Sequence, residues 1–582
     1  MRHFLHALLA TFVLAGCSSL PGDTAGSVGT QELATRGKEP WSHGGMVSVA
    51  NPYAAEAAAE ILRRGGHAVD AAIAAHAVLG LVEPQSSGLG GGAFMLVFDR
   101  ASNKLTAYNG RESAPRSATA DLFKAADGST IGFRDAWQGG LSTGVPGSVA
   151  LYKLAHDQHG TLPWATAFEA AIALANDGFE VSPRLAGFLP RIAAFGRLDE
   201  NPQAAAYFYP EGEPLAAGNV RTNSDYAQTL KAIAADGPSA FYTGAIAEAI
   251  VAATQSDPLP GALSLEDLAN YQASQSDALC YASKETRLCT VAPPSSGLAA
   301  ISMVALYDLL VPADPSESER LQALVDAQRL AYADRDHYIG DPQFGPIPSA
   351  DLLNVAYLKN RASQRFAPAE TPTPGDPGAV LRNQPMLGAF ATDRPTEVSS
   401  TSHLSIVDKN GNAAALTASV EAPFGNSRFV KGFLLNNQLT DFRRDADGLA
   451  HANAPAPGKQ PRSSMSPLMA FDARDNLQLV TGSPGGNSII AYVAKSIVGS
   501  LRWDLTDTEA VALPNIVARG AKVRVETAND QGKDMAASLR ELGYDVQERE
   551  GENSGLHQIR VTPDGLTGAA DPRREGIVIP VP

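Results

Sequence analysis

Four small hydroxyl side chains, Ser399, Ser400, Thr401 and Ser402, stand together in EVSSTSHLSIVDKNGNAAALTASV (397–420), directly before an alternating stretch. Such residues fill ordinary loops, because they hydrogen-bond to nearby backbone. They are also what a self-cutting chain requires. A chain opened before Thr401 carries a nucleophilic hydroxyl and a base, its own α-amine, on one residue. That amine has an ordinary pKa of about 8, low enough to take the hydroxyl proton near neutral pH. Before cutting, the same hydroxyl attacks the Ser400 carbonyl and turns the amide into an ester that water opens. This chemistry predicts a cut between Ser400 and Thr401, while the local sequence leaves each of the four hydroxyls open as nucleophile.

Around the cluster, HLSIVD and AAALTASV alternate on either side of Asn410-Gly411, which predicts a β-hairpin. LQLVTG and KVRVET read as further strands and IIAYVAKSIVG as a helix. Upstream, Asn51-Pro52 is an N-cap with a first-turn proline, AAEAAAEILRR follows as a helix, and Gly65-Gly66 ends it. Residues 68–82 are apolar almost all round, as in a buried helix, with His76 as a core histidine. Amphipathic helices are predicted at 148–157, 164–177, 226–235, 244–254 and 317–336. Residues 367–400, opened by APAETPTPGDPG, keep no hydrophobic period and predict an exposed Pro-rich linker that ends at the hydroxyl cluster. GLGGGAF (88–94) lacks the ending of a phosphate loop and reads as a tight backbone crossing.

The chain has 582 residues, 44% hydrophobic and 19% charged, with a net charge of −16. These values exclude wholesale disorder and make nucleic acid an unsuitable partner. MRHFLHALLATFVLAGCSSL begins with Arg2 and an apolar stretch too short to span a bilayer, which predicts a signal peptide over residues 1–16. Leu14-Ala15-Gly16-Cys17 is similar to a bacterial lipobox. Cys17 is then expected to be lipidated, followed by a flexible tether to residue 44. Ser18 points by the usual sorting convention to the periplasmic face of an outer membrane. The two further cysteines, Cys280 and Cys289, flank YASKETRL, and their spacing suits a disulfide staple across a hairpin rather than zinc or a redox motif. Nothing in the sequence gathers His, Cys and Asp into a metal set, and no cofactor is expected.

TSHLSIVDKNGNAAALT resembles the segment that begins the small subunit of γ-glutamyltransferases (gamma-glutamyl transpeptidases). VANPYAAEAAAEILRRGGHAVDAA, LGGGAFMLVF, STGVPGSVA, ANDGFEVS, GPSAFYTG, APPSSG, ADRDHYIGDP, GFLLNNQLTDF, PRSSMSP, GSPGGNSII and DPRREG resemble further signatures of that family, in family order. The resemblance implies an α/β fold, the four-layer αββα sandwich of Ntn hydrolases, self-processed into a large subunit (45–400) and a small one (401–582). It selects Thr401 as the nucleophile, with Ser419 where the family usually has a supporting Thr. It makes Gly485 and Gly486 the oxyanion donors, where bare backbone amides approach a developing alkoxide. Arg111 is implied to hold a substrate α-carboxylate, with Ser463 and Ser464 as hydroxyl partners. Gln438 and Asp441 are implied to face the α-ammonium. The implied donor is a γ-glutamyl amide such as glutathione, and the acceptor is water, an amino acid or a peptide.

Two departures bear on specificity. Glu421 stands where well-known members have Asn, so it either strengthens ammonium binding or is neutralised by nearby Arg428. Between Phe442 and Pro461, RRDADGLAHANAPAPGKQ has no aromatic residue to close the pocket, which predicts a short lid and a more open site. The rival activities are a related glutaryl or cephalosporin acylase and an inactive lipoprotein scaffold. His403, two residues from Thr401, is expected to be structural, because the α-amine already supplies the base.

Overall fold

The Asn51 side chain accepts a hydrogen bond from the Tyr53 amide at 2.9 Å and Pro52 takes the first turn of α1 (Pro52–Arg63). His67 and Asp70 close a reciprocal capping box on α2 (Ala68–Val82), every residue of which is buried. The computed structural model describes residues 41–364, 366–393, 400–444 and 449–582. The expected signal peptide, Cys17, nearly all of the tether, Ser399 and the last residues of the linker lie outside the described residues.

A seven-stranded antiparallel sheet is built from β1 (Gly45–Val49), β2 (Gly92–Asp99), β3 (Lys104–Gly110), β4 (Ser274–Asp277), β5 (Ser400–Val407), β6 (Ala413–Glu421) and β7 (Ile577–Val581). Their spatial order is β7-β1-β5-β6-β2-β3-β4. Strands from both sides of the Ser400–Thr401 bond therefore interleave, and cutting that bond leaves the two pieces tied by a continuous ladder. A second, six-stranded antiparallel sheet contains the cysteine hairpin (Leu279–Ser283 with Thr286–Thr290), Leu468–Phe471, Leu477–Gly482, His557–Thr562 and Gly565–Ala570. The expected disulfide joins Cys280 and Cys289, which face each other in register on that hairpin.

The period-two alternation sets the layers. Ala93, Met95, Val97, Leu404, Ile406 and Leu416 share a core with α1 and α2. Their neighbours Phe94, Leu96, Phe98 and Ala415 belong to the core shared with Met469, Leu479 and Val480 of the second sheet, and Phe98 meets Phe471 edge-on at 5.1 Å. That second core continues into α3 (Gly297–Leu310), α4 (Glu317–Tyr338) and α5 (Ile489–Arg502). Helices, sheet, sheet, helices is the expected αββα sandwich.

The hairpin of β5 and β6 turns through residues 408–412 rather than through Asn410-Gly411 alone. Asp408 widens the turn, its carboxylate accepting from the Asn410 and Asn412 amides at 2.8 and 3.0 Å. The described part of the Pro-rich segment also differs from an exposed linker. Asp376 caps a short helix (Pro377–Arg382), the Gly375 amide donates to Asp334 at 2.9 Å, and the Tyr338 hydroxyl donates to the Gly375 carbonyl at 2.7 Å. Residues 375–382 are thus tied to α4 by backbone and capping bonds, which leave no hydrophobic period to read. KVRVET forms a strand outside both large sheets, in a three-stranded sheet of Ile516–Arg519, Lys522–Glu526 and Asp545–Arg549.

The glycine run is the expected tight crossing. A Cβ on Gly90 would lie 2.1 Å from the Leu434 carbonyl oxygen, and one on Gly91 would lie 2.1 Å from that of Ser419. Backbone cannot yield to a methyl group at that distance, so Gly91→Ala must displace Ser419. We expect this variant to self-cut at least tenfold more slowly than the parent, followed as fragment appearance on a denaturing gel. Gly187→Ala, inside the helix Pro183–Gly196 where a Cβ meets nothing within 4 Å, is expected to cut at the parental rate.

Candidate active site

In the β5–β6 ladder Thr401 stands opposite Ser419. A bulge then brings Glu421 rather than Val420 opposite Ser400. Glu421 takes the strain of that bulge with φ of 78°. The neighbouring strand β1 pairs only with Leu404–Val407, so the first half of β5 extends past it.

The three hydroxyl and carbonyl groups at the head of β5 form one chain. Thr401 Oγ1 donates to Ser419 Oγ at 3.2 Å, and Ser419 Oγ donates to the Ser400 carbonyl oxygen at 2.6 Å. The Glu421 amide donates to the same Ser419 oxygen at 2.8 Å, which fixes the direction of its proton. The Thr401 hydroxyl is thus connected, through one intervening hydroxyl, to the Ser400 carbonyl. As Thr401 Oγ1 adds to the Ser400 carbonyl carbon, its proton can pass to Ser419 while the Ser419 proton passes to the carbonyl oxygen. No separate base is needed for that addition. Arg574 donates to the Thr401 carbonyl oxygen at 2.8 Å and is buried, its other donors going to the Ser554 and Asn553 carbonyls. Burial and neighbouring Arg184 push its pKa down to about 9, which leaves it cationic at neutral pH.

Facing this chain across a narrow cleft are Arg111, Glu421, Gln438, Asp441, Ser463, Ser464 and Gly486. Arg111 is fully buried. It donates to Asp441 at 2.6 Å, to the Pro461 carbonyl at 3.1 Å and to the Arg462 carbonyl at 2.9 Å. Gln438 donates to the same Asp441 oxygen at 2.7 Å. Ser464 accepts from Arg335 of α4 at 2.6 Å. The Ser463 backbone exchanges hydrogen bonds with Pro294 and Ser296 of APPSSG, at 2.9 and 2.7 Å. Glu421 accepts from Asn437 at 2.6 Å.

Gly485 and Gly486 both have positive φ, 141° and 57°, just before α5. A Cβ on Gly485 would strike the Tyr492 ring at 2.4 Å. Among the described residues no acceptor takes either amide hydrogen, as an oxyanion site requires. Gly486 lines the cleft with Thr401, and Gly485 is the residue before it.

One expectation changes. Arg428 does not neutralise Glu421: its guanidinium is spent on the backbone carbonyls of Gln138, Ala253, Ser256 and Pro258. The space left between these groups is about 20 Å³, room for about one water; the lid segment lies partly outside the described residues. The cleft's charged groups pair with each other across the space a ligand would take, and Asn453 from the lid segment donates to the Asp441 carbonyl at 2.7 Å. Sequence reasoning also missed the supporting shell of Glu112, Asn437, Arg335 and Arg574. Burial pushes the Glu112 carboxyl up to about 7, against the pull of Arg111 beside it. Its position within NGRESAP was its one visible signal. His403 is structural, its ring nitrogens meeting Thr417 at 2.8 Å and Ser405 at 3.1 Å while burial holds it neutral.

A hydroxyl poised on the preceding carbonyl, at the head of an inner strand of an αββα sandwich, defines a self-processing N-terminal-nucleophile enzyme. The gamma-glutamyltranspeptidase family profile matches residues 54–581, and the chain belongs to that family. It is 35% identical over 545 residues to the glutathione hydrolase proenzyme of Escherichia coli K12, covering 91% of this chain and 90% of that one. It is 32% identical to the glutathione hydrolase proenzyme of Bacillus subtilis 168, covering 92% and 91%. The crystal structure of cephalosporin acylase from Bacillus halodurans superposes with a TM-score of 0.80 at 26% identity, covering 92% of this chain and 96% of that one.

Ser419→Ala removes a proton donor from the Ser400 carbonyl and the acceptor of the Thr401 proton. We expect self-cutting to slow by ten- to a hundredfold, read by intact mass against time, and Ser419→Thr to keep a rate within about threefold of the parent.

Proposed function

We propose that this chain is a γ-glutamyl hydrolase and transpeptidase that cuts itself between Ser400 and Thr401 and then uses Thr401 as its nucleophile. Addition of Thr401 Oγ1 to the Ser400 carbonyl, expulsion of the Thr401 nitrogen and hydrolysis of the resulting ester give a Ser400 carboxylate and a free Thr401 amine. In turnover that amine takes the hydroxyl proton, Oγ1 attacks the γ-carbonyl, and the oxyanion falls to the Gly485 and Gly486 amides. The proton returns to the leaving amine, and the acyl-Thr401 ester passes to water, an amino acid or a peptide. Glutathione, which the relatives' names carry, is the donor class that fits.

The observation that carries the reading is the Arg111–Asp441 pair in the same cleft as Thr401. A buried ion pair is costly to split unless each partner is repaid. The zwitterionic head of a γ-glutamyl group repays both: its α-carboxylate takes Arg111 and its α-ammonium takes Asp441, with Gln438 and Glu421 adding acceptors beside it. A glutaryl group brings the carboxylate alone and leaves Asp441 without its cation. The likeness to a cephalosporin acylase keeps that second reading in view, and the ammonium side of the cleft weighs against it.

The rest of the sequence reading is proposed with it: export by residues 1–16, lipidation of Cys17, and attachment through the tether to an outer membrane facing the periplasm. Leu14-Ala15-Gly16-Cys17 supports this, and the boundary of the two subunits at 400/401 rests on the Thr401 chemistry. No helix among the described residues is long and apolar enough to cross a membrane.

The test compares γ-glutamyl and glutaryl anilides on the cut enzyme. We expect kcat/KM to favour the γ-glutamyl anilide by at least a hundredfold. Arg111→Lys should raise KM for it at least tenfold, because an ammonium replaces a bidentate fork. A preference for the glutaryl anilide would install the acylase reading, and an unchanged KM would remove Arg111 from substrate binding.

A further inference from the structure

At the end of the sandwich away from Thr401, His67, Asp99 and His159 come together with their ligand atoms all within 4.8 Å of one another. They come from three elements: the cap of α2, the last residue of β2 and the last residue of the helix Ser148–His159. β2 runs from Gly92, opposite Ser419, to Asp99, about 23 Å at the usual rise per residue. The cluster has no part in the chemistry described above.

Two members are held in place, and the third has an unpaired ring nitrogen. His67 is only 6% exposed, yet its Nε2 makes no hydrogen bond. An unpaired polar atom buried this deeply calls for a partner. The His159 Nε2 meets the Tyr108 hydroxyl at 2.8 Å, and that hydroxyl donates to Gln158 at 3.0 Å. Tyr108 therefore accepts from Nε2–H, and the lone pair of His159 is on Nδ1. Asp99 Oδ1 accepts from the Ser102 amide and hydroxyl at 2.6 and 2.7 Å, which holds the carboxylate in place. The two imidazoles stack with centroids 5.4 Å apart. Asp99 and His159 are half-buried, so the cluster is reachable from solvent.

We propose that His67 Nε2, His159 Nδ1 and Asp99 bind a divalent transition-metal ion of the zinc class, with water completing its coordination. Two imidazoles and one carboxylate are the donors of such ions, whereas calcium and magnesium take oxygen alone. Ligands around tetrahedral zinc lie about 3.3 Å apart, so the three side chains close by roughly an ångström or more. His67 Nδ1 now accepts from the Val69 amide at 3.1 Å, which places its proton on Nε2. Binding moves that proton to Nδ1 and gives up the bond from the Val69 amide. Asp70 still accepts from the His67 amide at 2.9 Å, so α2 keeps half of its capping box. The ion then clips three elements together far from the nucleophile, a stabilising rather than a catalytic site.

The test uses untagged, chelator-stripped enzyme titrated with Co2+ and then Zn2+. One Co2+ per chain is expected, with the visible absorption of a low-coordinate ion, displaced by one equivalent of Zn2+ and accompanied by a rise in Tm. His159→Gln and Asp99→Asn should each weaken binding at least thirtyfold while hydrolysis of a γ-glutamyl anilide stays at the parental rate. Failure of the parent to bind a stoichiometric ion, or undiminished binding in both variants, overturns the proposal. Neither result bears on the Thr401 mechanism, since the anilide rate is read separately.

Discussion

The register of one hairpin governs the site. Thr401 and Ser419 face each other because β5 and β6 pair as they do, and a shift of one residue would turn both hydroxyls to the opposite face. Several features hold that register. Asp408 fixes the turn at one end, the Ser419–Glu421 bulge ends regular pairing at the other, and Gly91 lets β2 approach the Ser419 backbone without a side chain between. The same pairing aims the Ser419 hydroxyl at the Ser400 carbonyl, so the geometry that builds the sheet is also the geometry that opens the chain.

The substrate side rests on charge rather than on register. Arg111 and Gln438 are buried and both donate to Asp441, and buried polar groups of this kind are costly to leave unpaired. A ligand is admitted when it replaces those bonds in kind. On the proposed reading this separates recognition from reactivity: the Thr401–Ser419–Ser400 chain is assembled without a ligand, and the Arg111–Asp441 pair belongs to the substrate side. The cleft's two halves meet only because α5, with Gly485 and Gly486 before it, and the loop carrying Ser463 are drawn against the head of β5.

How much of this could be read beforehand follows from where each signal lies. The hairpin, α1, α2 and the cysteine staple announced themselves through alternation, capping residues and spacing, all local properties. Thr401 stood in a run of four hydroxyls, and only the family resemblance singled it out. Strands β2 and β3 went unread because GAFMLVFD is buried on both faces and has no alternation to show. The packed part of the Pro-rich segment was hidden because its ties to α4 are backbone and capping bonds. Arg428 looked like a neighbour of Glu421 by sequence distance, yet a strand and a turn carry their side chains to different partners. The His67–Asp99–His159 cluster was invisible for the opposite reason, since its members are 92 residues apart end to end and only the fold brings them together.

The measurement that tests the account most directly is the intact mass of the purified protein under denaturing conditions. Two fragments are expected, the second beginning at Thr401 and ending at Pro582, with Thr401→Ala remaining a single chain. A parent protein that stays whole, or a Thr401→Ala protein that still divides after Ser400, would contradict the mechanism at its root.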